Sequence, residues 1–197
     1  MPRISKTVEK NDLIESHIYA KERKKFRKEL IEFKKNRRIP LGPYATFYFE
    51  SFETMLAQIQ EMLHIEKGGE EQLIDELNAY NPLIPKGNEL VATLMFEIDN
   101  PKKRADFLGK VGGIENNVFI EIQGNKIKGS PEKDLDRTSD EGKASSVQFI
   151  HFNFSDHWKE KFKNFDEKIT IGIEHSSYNH MSIISKEVQR ALAKDFD

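Results

Sequence analysis

The chain has 197 residues and no cysteine. It is long enough to bury a full core without disulfides, and it cannot itself supply a thiol nucleophile, a zinc ribbon or the ligands of an iron–sulfur cluster. Charged residues reach 32%, yet 14 Phe and mixed charge signs describe a folded chain, and neither a membrane-span run nor an N-terminal signal core is present, so a bacterial cytoplasmic protein with no membrane partner is expected.

The net charge of -2 conceals two opposed segments. Residues 1–40 hold 13 Lys+Arg against 6 Asp+Glu, and residues 41–89 hold 2 against 9. Adjacent stretches of opposite sign are expected to pack on each other. The competing reading, a basic arm for nucleic acid, is disfavoured because an acidic neighbour weakens attraction to phosphates.

The first helix is expected over about 11–38. Its apolar stripe is Tyr19, Phe26, Leu30 and Phe33; Arg23 and Arg37 border it, while Lys21, Lys24, Lys25, Lys28 and Lys35 lie on the far side. Pro40 and Gly42-Pro43 end it. The aromatic run 44–49 is ambiguous. Ser51 caps a second helix carrying Phe52, Met55, Ile59 and Met62, stopped by Gly68-Gly69. An acidic third helix spans about 70–80, closed by Asn81-Pro82.

After Gly87 the period changes to that of strands. Leu90 to Ile98 alternates; Asn100-Pro101 opens a helix ending at Gly112-Gly113; Val118, Ile120 and Ile122 mark a second strand. Residues 147–154 form a third strand that is apolar on both faces. A helix with Trp158, Phe162 and Phe165 follows, then a strand with Ile169, Ile171 and Ile173, and a last helix from Ser185. This order matches a split βαβ, ferredoxin-like pattern. The expected fold is therefore α+β: a helical region 1–86 forming an N-terminal layer on a four-stranded antiparallel ferredoxin-like sheet in 87–197, joined in one compact unit. The polar segment 124–145 is expected to be a long loop, either disordered or functional.

Three patterns carry candidate chemistry. Gly142-Lys143-Ala144-Ser145 is not a phosphate loop: it lacks Ser or Thr directly after Lys143, and position 137 holds Arg where glycine is required. Arg137 and Lys143 stay candidates for an anion, against the reading of a solvated charge run. Glu61-Met62-Leu63-His64 has Glu-x-x-His spacing, but a di-iron centre needs a second such pair, so an exposed pair is the expectation. His175, Tyr178 and His180 sit at a strand end and the turn after it. They are candidates for a transition metal or for proton transfer, against the reading of hydrogen-bonded side chains at a core edge. His151 is expected one strand away from His175, with backbones about 10 Å apart, marginal for a shared metal.

Several strings together resemble an uncharacterised prokaryotic family, domain-of-unknown-function family 3501. They are Arg37-Arg38 with Leu41-Gly42-Pro43, Phe49-Glu50, Gln58 with Glu61-Met62, Glu76 through Pro85, Arg137-Thr138, Gly142 through Phe149, and His175 with Tyr178. Ser176 stands where family members often carry proline. The resemblance implies no catalytic residues. Its gene neighbourhoods, beside rubrerythrin and an iron–sulfur protein of the heterodisulfide-reductase type, imply an accessory protein that docks on a redox metalloprotein. The alternatives are a nucleic-acid-binding module using the basic first helix, and a small-molecule enzyme with 124–145 as its lid.

Overall fold

The computed structural model describes residues 6–132, 138–139 and 142–197. Helix α1 (Ser16–Lys34) leads into strands β1 (Arg38–Leu41) and β2 (Ala45–Phe49), then helices α2 (Phe52–Glu66) and α3 (Gly69–Tyr80). Strand β3 (Glu89–Phe96), helix α4 (Pro101–Leu108) and strands β4 (Val118–Ile122), β5 (Asn125–Pro131) and β6 (Val147–Asn153) follow. Helix α5 (Asp156–Lys163), strands β7 (Ile169–His175) and β8 (Tyr178–Ile183) and helix α6 (Lys186–Ala193) complete the order. Ser51, Asn100 and Ser185 each accept a first-turn backbone N–H, which fixes where α2, α4 and α6 begin.

Among the described residues the eight strands form one sheet in the order β1-β2-β3-β6-β5-β4-β7-β8. Every neighbouring pair is antiparallel. All eight strands send side chains into a single core, where Phe47, Leu94, Ile120, Phe152 and Ile171 are fully buried. The sheet is thus rolled into a nearly closed barrel filled by its own side chains, as expected at this strand number. Its two margins meet where the Tyr178 phenol at the start of β8 donates to the Leu41 carbonyl (2.5 Å) and accepts from the backbone N–H groups of Tyr44 (3.1 Å) and Ala45 (3.0 Å).

The expected four-stranded ferredoxin-like sheet is overturned by this topology. The four anticipated strands exist, and β3 and β6 are antiparallel neighbours as that pattern requires. However, β5 inserts between β6 and β4, and β7 pairs with β4 instead of β3. The physical cause is local. Gln123 (φ 52) and Gly124 (φ 78) both adopt left-handed geometry and close a two-residue hairpin between Ile122 and Asn125. Lys126-Ile127-Lys128, within the segment expected to be a loop, continues as a strand with Ile127 facing the core. Likewise Tyr178 and His180, expected in a turn, lie in β8, and the ambiguous aromatic run forms β2.

The helical region covers the outside of this wall. Phe52, Met55 and Ile59 of α2 pack with Leu83, Ile84 and Val8 on Val91 of β3, with Phe149 of β6 beside them. Strand β3 is therefore buried on both faces, and β6 is an interior strand whose outer face meets the helices. Among the described residues no helix is long and apolar enough to cross a membrane.

Candidate functional site

Helix α1 rests on α2 through one buried residue, Tyr19, out of its whole length. The Tyr19 hydroxyl donates to Glu61 Oε2 (2.9 Å), and Arg23 donates from Nε to the same oxygen (2.9 Å) and from Nη2 to Oε1. The Arg23 hydrogen bond, seconded by that of Tyr19, holds the Glu61 carboxyl down at about 2. Burial, and then the hydrogen bond to Glu61, pushes the Tyr19 phenol up to about 12. The ring of Tyr19 stacks on Phe26 (6.0 Å) and meets His64 edge-on (5.5 Å). The chain leading into α1 is held by Gln60, whose amide exchanges two hydrogen bonds with the backbone of Ile14 (2.7 and 3.0 Å).

Beyond Tyr19 the two helices part. A cleft of about 620 Å³ opens between Phe26, Leu30 and Phe33 of α1 and Leu56, Ala57 and Gln58 of α2. Its volume falls in the range of binding sites and its walls are mainly apolar. Phe33 remains 40% exposed and Ile31 61%. Lys21, Lys24, Lys25, Lys28 and Lys35 project into solvent on the far side of α1.

The expected meeting of the basic and acidic segments occurs at Arg23 with Glu61 and at Lys10 with Glu70 (2.7 Å). Glu61, read from spacing as exposed, is held in that ion pair at 22% side-chain exposure. Arg37 takes a different partner. It is buried, donates to the carbonyls of Phe49 (3.0 Å) and Glu50 (2.7 Å), and pairs with Asp195 (2.5 Å) next to the C-terminal helix.

The candidate metal residues are placed by β7 and β8. His175 and Tyr178 are cross-strand partners, and His180 lies opposite Ile173. His175 Nδ1 accepts from the Ser177 N–H (3.2 Å). The Tyr178 hydroxyl is engaged by the three backbone groups at the barrel margin, and burial pushes its pKa up. The rings of Tyr178 and His180 contact each other at 4.5 Å. Among the described residues no group of three or more His, Cys, Asp or Glu is arranged to hold a metal ion. Of the two anion candidates, Arg137 lies outside the described residues, and Lys143 is exposed, its backbone carbonyl accepting from the Ser139 N–H (2.8 Å).

One cluster escaped sequence reasoning. His151 lies on the outer face of β6 between two carboxylates, with Nδ1 2.9 Å from Glu89 Oε2 and Nε2 2.8 Å from Glu132 Oε2. Burial opposes the imidazolium, but hydrogen bonds and charge from Glu89 and Glu132 outweigh it, so the pKa stands above the ordinary histidine value. The available signal was the β3–β6 pairing, which sets Val91 opposite His151 and puts Glu89 on the same face. Two strands, not one, separate β6 from β7, which moves His151 farther from His175 than expected.

A family model described as Protein of unknown function (DUF3501) matches residues 7–196. No curated protein matches the chain. Among solved structures, the chain is similar to a protein from Burkholderia pseudomallei K96243, described as a novel protein of unknown function. The two share 34% identity at a TM-score of 0.90, over 97% of this chain and 100% of that one.

Proposed function

Since the chain belongs to the family described as Protein of unknown function (DUF3501), and its barrel interior is filled by its own side chains, we propose that it is a cytoplasmic accessory protein that binds another protein through the α1–α2 cleft. The observation that carries this reading is the half-covered stripe of α1. A helix in water depends on tertiary burial of its apolar face, and α1 buries only Tyr19 within its own chain. The stripe from Tyr19 to Phe33 runs about 20 Å, the length of a short helix laid in a groove. The charged side chains lining the cleft are of both signs, Arg27 and Lys34 with Glu29 and Glu53, so the occupant is an amphipathic helix whose apolar face meets Phe26, Leu30 and Phe33. The redox metalloprotein implied by the family resemblance is the first partner to test.

The experiment is affinity capture from the native host with the natural chain and with Phe33→Asp, followed by titration of a synthetic peptide spanning the amphipathic helix of the captured protein. Phe33 is exposed enough for the variant to fold. The expected result is capture by the natural chain alone, with peptide binding that weakens at least about tenfold in the variant. Equal capture by both chains, or salt-sensitive retention of nucleic acid that ignores Phe33→Asp, overturns the reading.

A further inference from the structure

We propose that the cavity bounded by the end of α1, the first turn of α2 and the C-terminal turn after α6 is a binding site for a free α-amino acid with an apolar side chain. The cavity holds about 580 Å³, within the range of small-molecule sites. It adjoins the α1–α2 cleft, with Phe33 in the wall of both.

The charged groups lining this cavity are of both signs, and their partners within the chain leave capacity of each sign open. Arg37 is buried, and its nitrogens donate to the carbonyls of Phe49, Glu50 and Ala191 and to Asp195. The bond to Ala191 is long (3.4 Å) and takes one of the two N–H groups on Nη1, so the second is left for a ligand. The Asp195 side chain is 9% exposed, and Arg37 occupies its Oδ2. Among the described residues Asp195 Oδ1 has no hydrogen-bond donor. The Ser51 hydroxyl donates to Glu53 Oε2 (2.9 Å) and leaves Oε1 open. Lys194 is exposed, and among the described residues its Nζ has no ion-pair or hydrogen-bond partner.

A ligand of one charge does not suit this set. An anion drawn to Lys194 and Arg37 meets the carboxylates of Asp195 and Glu53. A cation drawn to those carboxylates meets Lys194, Lys6 and the guanidinium. An α-amino acid carries an ammonium and a carboxylate on one carbon and answers both signs with charge-assisted hydrogen bonds. Its ammonium donates to Asp195 Oδ1 and Glu53 Oε1, and its carboxylate accepts from Arg37 Nη1 and Lys194. Asp195 gains from this arrangement: burial pushes its carboxyl up, Arg37 opposes that, and Glu53 adds to the push. An ammonium placed between the two carboxylates stabilises both as anions. The side chain of the amino acid lies against Phe33, Phe52, Ile84 and Pro85. The Arg37 guanidinium sits over the Phe33 ring at 5.6 Å, so the apolar wall joins the charged floor.

The test is calorimetric titration of the full chain with phenylalanine and leucine, with hydrocinnamate, which lacks the ammonium, and with phenethylamine, which lacks the carboxylate. The expected result is saturable binding of an amino acid, with both analogues at least about tenfold weaker than phenylalanine. Lys194→Ala should weaken phenylalanine at least about fivefold without weakening phenethylamine, and Glu53→Gln should weaken phenylalanine without weakening hydrocinnamate. Both positions are exposed, so the variants fold. Lys194 lines this cavity and not the α1–α2 cleft, which makes its outcome independent of partner docking there. No saturable binding of either amino acid up to about 10 mM overturns the proposal. So does an analogue that matches phenylalanine, or a Lys194→Ala chain that binds phenylalanine unchanged.

Discussion

Tyr178 illustrates how one side chain is committed by the tertiary structure. In the sequence it belongs to a run of His, Tyr and His that suggests ligation or proton transfer. In the barrel its hydroxyl joins β8 to the β1–β2 turn through three backbone partners, and its ring sits among Tyr44, Phe96 and Phe107. Gly42 makes this approach possible. Its φ is +63, and a Cβ there would stand 2.6 Å from the His180 ring and 2.7 Å from the Tyr178 hydroxyl. Tyr178→Phe keeps the ring but removes a hydrogen bond from the buried Ala45 N–H and Leu41 carbonyl and from the part-buried Tyr44 N–H. Its expected cost is about 1–3 kcal/mol, read by denaturant unfolding. An unchanged midpoint would show that these backbone groups find other partners. The residue types were legible from the alternation that brings Ile173 to the strand end; the engagement of the hydroxyl was not, because its partners lie more than 130 residues away.

Among the elements, the helices announced themselves. Caps at Ser51, Asn100 and Ser185 and the stops at Gly68-Gly69 and Asn81-Pro82 are local signals, decided by groups within one turn of each other. Strands were harder. β5 carries only Ile127 as a strong inward apolar residue, and β8 exposes Met181 and Ile183 on its outer face, so neither shows a clear alternation. The α1–α2 contact lies between these cases: the stripe and its bordering Arg23 were readable, while the choice of Glu61 as partner needed the packed helices. This pair has a pH signature. The Glu61 carboxyl is lowered from 4.5 to about 2 in the folded chain. Its contribution is complete above about 4.5 and disappears as pH falls through about 2. Glu61→Gln is therefore expected to cost about 1 kcal/mol near neutral pH, a modest figure for a partly exposed ion pair, and progressively less below pH 4.5. Parallel chemical denaturation of both chains at pH 7 and pH 3 measures this; a gap that does not narrow in acid would reject it.

At the scale of the whole molecule, the early and late parts of the chain are tied together across 158 residues by Arg37 and Asp195. Burial pushes the Asp195 carboxyl up while Arg37 pulls it down, so removing the guanidinium leaves a buried acid without its hydrogen-bonded ion-pair partner. Arg37→Met is expected to cost about 3–5 kcal/mol, and adding Asp195→Leu to recover a substantial part. If the double variant is as unstable as the sum of the singles, the pair is not coupled. The sequence by itself determined what depends on neighbours a few residues away: the helices and the caps at Ser51, Asn100 and Ser185, four of the strands, the basic and acidic segments, and the family, while α1 (Ser16–Lys34) and α4 (Pro101–Leu108) are shorter than expected. Only the tertiary structure decided the eight-stranded order, the meeting of β1 and β8, and the carboxylates around His151. Those depend on which strands lie side by side. A two-residue turn such as Gln123-Gly124 redirects that choice without altering the hydrophobic pattern on either side of it.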